Sequence, residues 1–385
     1  MTAALDLHLN RDQVDLYERT RALATEFLAP IAAAGEPGRV NRPLVAALAE
    51  HGLLARLFER DHVSAIELCL IREGLARGCT EAETAFALQG LGGYPIVQAG
   101  SEALQAQWIP RVAAGTAVAA FALTEPDAGS DPAALTLHAT PDGAGGYLLN
   151  GEKLWISNAP DADVYTVFAR SEAATGARGL TAFAVPGDAP GLSGEARDML
   201  AAHAIGSLTF DDVPVGPDQV LGRPGDGFRV AMGTLDLFRP SVGAFAIGMA
   251  RTALELTASY ALERETFGKP LKEHQAVAHR LAELHAQTEA ARLLVHQAAL
   301  AHDARVSDPG VAAMAKLLAT ETAQQAVDAA VQFHGAIALE QGHPLEHLYR
   351  DVRAPRIYEG ASEIQREIIA RSLFRAAEAE AEAQG

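Results

Sequence analysis

At 385 residues the chain is long enough for two or three domains and a large core, and its 49% apolar content excludes a disordered polymer. A net charge of −18 argues against nucleic-acid binding, which needs a basic face, but is compatible with a local basic pocket for an anion. Two cysteines, Cys69 and Cys79, are too few for a disulfide framework and lack zinc-site spacing, so both read as buried thiols.

Residues 1–11 lack the basic flank and apolar run of a signal peptide, and no stretch has the apolar length of a membrane span; this predicts a soluble, cytoplasmic protein. Residues 1–119 read as an N-terminal helical domain. A helix over 12–28 places Val14, Leu16, Tyr17, Leu23 and Phe27 on one stripe, and Pro30 is expected to stop it. Shorter helices follow over 43–54 and over 64–74, the latter opened by Ser64 as N-cap. Helices over 81–88 and 101–112 are expected on either side of a Gly-rich turn at 90–95, which is not a dinucleotide fingerprint because its sixth position is Pro95 and no strand precedes it. Residues 120–226 read as a central antiparallel β domain, with short strands near 118–123, 135–139, 147–149, 153–157, 164–169, 180–185 and 207–210. Asn150-Gly151 is the signal of a two-residue hairpin, and the lack of helical crossovers excludes a Rossmann sheet. Residues 227–385 return to Ala-rich amphipathic helices over 228–237, 240–263, 274–305 and 309–334, then 344–351 and 362–379, which predicts an antiparallel bundle of four or five long helices with a fraying tail from 376. The fold class is therefore α+β, mostly α.

Three stretches carry chemistry. Residues 121–131 (FALTEPDAGSD) offer the hydroxyls of Thr124 and Ser130, and Gly129 permits close backbone approach to a phosphate, although on its own the stretch reads first as an ordinary strand entering an Asx-rich turn. In Leu154-Trp-Ile-Ser-Asn158, Trp155 beside Ser157 on a strand edge either stacks on a planar ring, with Ser157 hydrogen-bonding to it, or is a buried core tryptophan. Near the C-terminus, Ile357 and Tyr358 precede Glu359 and Gly360, just ahead of a helix opening at Ser362. From these residues alone Glu359 is either a general base, raised toward working pH by apolar neighbours, or a carboxylate stabilised by the helix dipole. His343-Pro-Leu-Glu-His347 matches an inverted zinc-protease pattern, but Pro344 suits the first helical turn and leaves His343 as a cap, so no metal site is assigned.

Taken together with Tyr260–Pro270, His274-Gln275, Gln332-Phe-His-Gly335 and Leu348-Tyr-Arg-Asp351, these stretches resemble the acyl-CoA dehydrogenases over nearly the whole chain. The resemblance implies a three-part fold with an N-terminal helical domain, a central β domain and a C-terminal four-helix bundle, together with bound FAD, an acyl-CoA substrate, an electron-transfer flavoprotein as electron acceptor, and a homotetramer whose flavin sites are each built from two subunits. It implies that Phe121, Leu123, Thr124, Gly129, Ser130, Trp155 and Ser157 contact the flavin, with Ser130 reaching its diphosphate and the CoA moiety. Arg264, Phe267, Gln275, Gln332 and Gly335 are implied to hold the adenosine half from the neighbouring protomer, with residues 361–363, including Ala361 and Glu363, completing that site. Asp236, Arg239, Tyr358 and Gly360 are implied to line the thioester pocket, and Glu359 to be the base. Its backbone N–H, with a ribityl hydroxyl, is implied to stabilise the enolate that α-proton removal creates. Some relatives place the base near position 238, but Phe238 stands here and cannot serve.

The chain departs from the family pattern at Ala336, Ile337, Ala338 and Ala361, where glycines, an aromatic and a threonine are usual, and in residues 198–203, where a Met-Gly-x-Arg segment is usual. The added methyls are expected to crowd the neighbour's diphosphate, and Ala361 to lose a flavin hydrogen bond. Two further readings keep the fold: one with a carrier-protein thioester or oxygen as partner, and one as a binding protein without dehydrogenation. Ala87, Leu88 and the small residues of 90–93 permit a roomy acyl group without fixing its length.

Overall fold

In the computed structural model, which describes residues 8–59, 63–171 and 176–384, helices dominate, and eight of ten strands fall between residues 119 and 221. The first seven residues, which bear on any targeting signal, lie outside the described residues. The helices are α1 (Arg11–Leu23), α2 (Ala29–Ala33), α3 (Arg42–Glu50), α4 (Ala65–Gly78), α5 (Thr80–Ala99), α6 (Glu102–Ala113), α7 (Gly227–Glu263), α8 (Gln275–Asp303), α9 (Pro309–His334), α10 (Pro344–Asp351) and α11 (Ser362–Gln384). The strands are β1 (Ala119–Ala122), β2 (His138–Pro141), β3 (Tyr147–Ser157), β4 (Val164–Arg170), β5 (Leu180–Pro186), β6 (Leu192–Ala196), β7 (Ile205–Val215), β8 (Val220–Leu221), β9 (Glu265–Thr266) and β10 (Lys269–Pro270). This is the mostly helical α+β fold expected: N-terminal helices, a central sheet, C-terminal helices. By internal contacts the chain divides into two units, one of Met1–Glu26, Ser64–Thr80 and Asp236–Gly385, the other of Phe27–Val63 and Glu81–Leu235.

The second unit is built on one sheet of order β6-β7-β3-β2-β4-β5-β8. It is antiparallel except where β1 pairs with β4 in parallel and where β2 touches β4 at His138 and Arg170. β4 and β5 are buried along nearly their whole length, and Leu149, Tyr165, Phe183 and Val213 anchor its core. Two sequence expectations fail here for identifiable reasons. Asn150-Gly151 makes no hairpin: β3 runs through it as one strand of 11 residues, and the pair forms a bulge against β7. Gly151 takes φ +134°, while the Asn150 side chain donates to Asp212 Oδ1 (2.8 Å) and accepts from the Asp212 N–H (2.9 Å). Nor is 90–95 a turn, since α5 continues from Thr80 to Ala99 with Pro95 inside it. Its glycines serve packing. A Cβ on Gly92 would lie 2.4 Å from the Ala120 nitrogen, and one on Gly93 2.7 Å from the Phe58 ring. β6 and β8 escaped the sequence reading because β6 is almost wholly solvent-facing and β8 has two residues.

In the first unit, α1 opens on a capping box between Asn10 and Gln13. The expected single helix to Leu28 ends its α register at Leu23 and passes through a π turn over Ala24–Leu28, and Pro30 lies in the first turn of α2, where a missing N–H does no harm. Pro240 likewise leaves α7 unbroken over 37 residues, at the loss of the helical bond to the Asp236 carbonyl. α11 holds helical form to Gln384, past the expected fraying point. Ser64 caps α4 as expected, and Asp303 on α8 reinforces that cap by accepting from the Ala65 (2.6 Å) and Ile66 (3.2 Å) N–H groups. A buried carboxylate, Glu73, is held ionised by Arg292 and Arg251: burial opposes its charge, but the guanidinia keep it well below the usual carboxylate range.

Candidate active site

The Glu359 loop lies between α10 and α11 and is gripped by α9. Glu359 takes φ +50° and Gly360 φ +90°, two successive left-handed residues, of which only the glycine does so freely. The strain of order 1 kcal/mol or more at Glu359 is offset by fixed partners. Lys316 Nζ donates to the Tyr358 carbonyl (3.0 Å) and the Gly360 carbonyl (2.7 Å), and Gln365 Nε2 donates to the Gly360 carbonyl (2.8 Å). One turn along α9, Glu321 accepts from Ser362 Oγ (2.7 Å) and pairs with Arg356 (2.9 Å), holding both flanks of the loop.

Glu359 is half-buried as a residue, but its Oε2 is enclosed and has no hydrogen-bond partner. Burial pushes its carboxyl up from the ordinary value, while Arg72, Lys316 and Arg239 pull the other way. These cations are themselves buried. Arg72 donates to Ser241 Oγ (2.7 Å), and Arg239 pairs with Asp236 (2.8 Å), one helical turn before it on α7. Lys316 is depressed to about 8, chiefly by burial, with Glu359 opposing the drop. A carboxylate that is buried, raised and unpartnered, yet ringed by cations, is equipped to exchange a proton rather than to serve as a fixed ion pair. The alternative of a dipole-stabilised glutamate loses its main support, because a helix N-terminus would lower the carboxyl, whereas here it is raised.

The structure thus brings Asp236, Arg239, Tyr358, Glu359 and Gly360 into one unit, with Asp236 and Arg239 paired and Tyr358 and Gly360 sharing the Lys316 clamp. Asp236 also borders a cavity of about 30 Å³ with Pro240, His302 and Asp308. Phe238 is fully buried.

In the other unit, Trp155 is 50% exposed although Lys153 and Ile156 beside it on β3 are buried. It sits at φ +59° where the β3–β7 register slips between Lys153 and Ile156, so the bulge turns the indole outward. The 123–125 segment is tied to β3 by the Leu154 N–H to the Thr124 carbonyl (3.0 Å) and by Lys153 Nζ to the Leu123 carbonyl (2.9 Å) and Glu125 (2.9 Å). Phe121, Leu123, Thr124 and Ser157 are half-buried, and Gly129 and Ser130 exposed, with open space where a Gly129 Cβ would be. Half-exposed hydroxyls and an indole on a rigid sheet fit a flat heteroaromatic ring, and the open glycine turn fits a phosphate.

Arg264, Phe267, Gln275, Gln332, Gly335 and Glu363 are all exposed and Ala361 half-buried, in the unit that holds Glu359. Phe267, 97% exposed at φ +52°, tips the β9–β10 hairpin. Tyr260 stacks on His334 at 4.2 Å between ring centres, which ties the end of α7 to the end of α9. An aromatic held fully in water fits an adenine ring supplied from outside the unit. His343 Nδ1 accepts from the Leu345 N–H (3.1 Å), acting as the cap expected, and His347 bonds Thr80 and Asp351.

Sequence reasoning missed Lys316, Arg72, Ser241, Gln365 and Glu321. The signal for Lys316 was available: it falls with Ala313, Thr320, Ala323 and Val327 on the buried stripe of α9, where a charge needs a reason.

The family models of the acyl-CoA dehydrogenase N-terminal, middle and C-terminal domains match residues 10–116, 120–213 and 225–374. The chain is 34% identical over 369 residues to cyclohexane-1-carbonyl-CoA dehydrogenase of Geobacter metallireducens, covering 94% of this chain and 97% of that protein. Among solved structures, butyryl-CoA dehydrogenase from Megasphaera elsdenii superposes with a TM-score of 0.89 at 32% identity, covering 95% of this chain and 99% of that one. A glutaryl-CoA dehydrogenase from Mycobacterium smegmatis in complex with FADH2 superposes with a TM-score of 0.88 at 27% identity, covering 97% and 96%.

Proposed function

This chain belongs to the acyl-CoA dehydrogenase family, and we propose that it uses FAD to convert an acyl-CoA thioester to the trans-2-enoyl thioester, with an electron-transfer flavoprotein taking the electrons. Within that reading, residues 1–119, 120–226 and 227–385 are its three family domains, and it works as a cytoplasmic homotetramer. Among the described residues no helix is long and apolar enough to cross a membrane. Phe121, Leu123, Thr124, Trp155 and Ser157 hold the flavin ring, and Gly129 and Ser130 its diphosphate. Arg264, Phe267, Gln275, Gln332, Gly335, Ala361 and Glu363 hold the adenosine half bound to a neighbouring copy. Methyls at Ala336 and Ala338, where glycines are usual, and the hydroxyl lost at Ala361, where a threonine is usual, loosen that grip. The chemistry FAD supplies when bound is acceptance of a hydride from Cβ.

The chain's own part begins with the α-proton, which is only weakly acidic. Its removal needs a base near working pH and donors aimed at the thioester oxygen. Glu359 is that base, and the observation that carries the assignment is its enclosed, unpartnered Oε2. Its backbone N–H is one donor to the developing enolate oxygen. Asp236, Arg239, Tyr358 and Gly360 border the acyl-CoA, and burial keeps water from competing for the carboxylate.

The test is anaerobic flavin bleaching across straight, branched, cyclic and dicarboxylic acyl-CoAs, with acyl-carrier thioesters and oxygen uptake as comparison arms. Bleaching by at least one acyl-CoA, with reoxidation by an electron-transfer flavoprotein, is expected. A yellow preparation that no thioester bleaches would make it a binding protein on a dehydrogenase fold.

A further inference from the structure

We infer that Lys316 is a positioning residue for Glu359, an assignment that rests on Glu359 being the base: by gripping the carbonyls of Tyr358 and Gly360 it fixes both the aim of the carboxylate and the direction of the Glu359 N–H. The Lys316 side chain is fully buried, and its Nζ lies 3.0 Å from the Tyr358 oxygen and 2.7 Å from the Gly360 oxygen. In a trans peptide the N–H points opposite the carbonyl of the same plane. Pinning the Tyr358 oxygen on Lys316 therefore turns the Glu359 N–H away from Lys316. Pinning the Gly360 oxygen on the same atom fixes a second plane. Glu359 and Gly360, at φ +50° and +90°, span the two as an arch over one ammonium group.

A charge is not needed merely to close this loop. Gln365 already donates to the Gly360 carbonyl at 2.8 Å and, at 3.4 Å, to that of Glu359. Glu321 holds Ser362 and Arg356 on either side. A buried ammonium is expensive by comparison. Its distinguishing property is that it brings a positive charge to the carboxylate whose two flanking residues it holds. The charged groups acting on Glu359 are Arg72, Lys316 and Arg239, and those acting on Lys316 are Glu359, Arg239, Glu321 and Glu363. Glu321 and Glu363 have counter-ions of their own in Arg356 and Arg366, and Arg239 in Asp236.

The experiment compares Lys316→Met, Lys316→Gln and Glu359→Gln in the FAD-loaded enzyme. Four quantities are read: bound flavin, affinity for a non-oxidisable thioester, limiting rate of flavin reduction, and the pH profile of that rate. Lys316→Met is expected to keep its flavin and thioester affinity within about threefold while limiting reduction slows about 100-fold, the scale for a misplaced reacting group. Its acid limb is expected to move to higher pH, because a cation beside the base is gone. Lys316→Gln restores a donor without the charge; it is expected to regain part of the rate while its acid limb stays shifted as in Lys316→Met. Wild-type reduction with an unmoved limb in Lys316→Met overturns the inference. So does a rate loss that only tracks lost flavin, since a structural clamp would behave that way. If Lys316→Met does not fold, the limb in Lys316→Gln decides alone. Fast reduction in Glu359→Gln brings down the base assignment and this inference with it, whereas a slow Glu359→Gln beside a normal Lys316→Met removes only the role of Lys316.

Discussion

Lys153→Met probes the ion pair beneath the proposed flavin surface. Lys153 and Glu125 are both buried and meet at 2.9 Å. Glu125 also accepts from the Thr136 N–H (2.6 Å), Thr136 Oγ1 (2.9 Å) and the Leu137 N–H (2.9 Å). Burial opposes ionisation of Glu125, but Lys153 and these donors bring it below the ordinary value; burial meanwhile depresses Lys153 to about 8. Methionine is unbranched like lysine and one atom shorter, so the substitution removes charge and donors with little change in volume. It strands a buried carboxylate and leaves the Leu123 carbonyl without this donor. Breaking a buried pair costs about 3–5 kcal/mol, and the three remaining donors to Glu125 put the expected loss near the low end, about 3 kcal/mol. Removing both partners in Glu125→Leu/Lys153→Met leaves no stranded charge, so the double variant is expected to return to within about 1.5 kcal/mol of the parent. Urea unfolding of the four proteins closes the cycle. Single variants that each lose less than about 1 kcal/mol, or a double variant as unstable as the sum of the two, would refute the reasoning.

The same physical terms give two further expectations. Burial raises Glu359, and the base works ionised, so the limiting reduction rate should fall as pH drops through a value above the ordinary carboxylate range; a limb at or below that range in a stopped-flow pH series would contradict this. Gly92→Ala would press a methyl within 2.5 Å of the Ala119–Ala120 backbone, which cannot yield as a side chain tip would, so thermal unfolding should show a loss of about 1–3 kcal/mol or more; an unchanged midpoint would mean α5 can shift away from β1.

Much of the fold was legible where one local signal sufficed. Pro309 and Pro344 in first helical turns marked where α9 and α10 begin, and Ser64 marked α4. The misreadings share one cause, namely residues with two uses. Asn-Gly serves a bulge as well as a hairpin, and which one forms depends on Asp212, 62 positions away. Glycines in 90–93 serve close helix packing as well as a turn, and Pro240 is tolerated inside a helix held by its surroundings. The candidate site divides in the same way. Glu359 and Trp155 sit in dense local motifs and could be named from sequence. Lys316 was visible as a charge on a buried stripe but its role could not be assigned, because its partners are the carbonyls of residues 42 and 44 positions on, and a carbonyl leaves no mark in a sequence. Arg72 joins Ser241 from 169 positions away, a pairing no spacing rule reaches.

In the proposed reaction the Glu359 carboxylate takes the α-proton. The most direct measurement is the limiting rate of anaerobic flavin reduction in Glu359→Gln with whichever acyl-CoA bleaches the parent. Glutamine keeps the shape and removes the base. The variant should stay yellow, bind the thioester, and reduce its flavin slower by a factor on the order of 10²–10⁴ or more. Reduction within a few-fold of the parent rate would mean the proton leaves by another group.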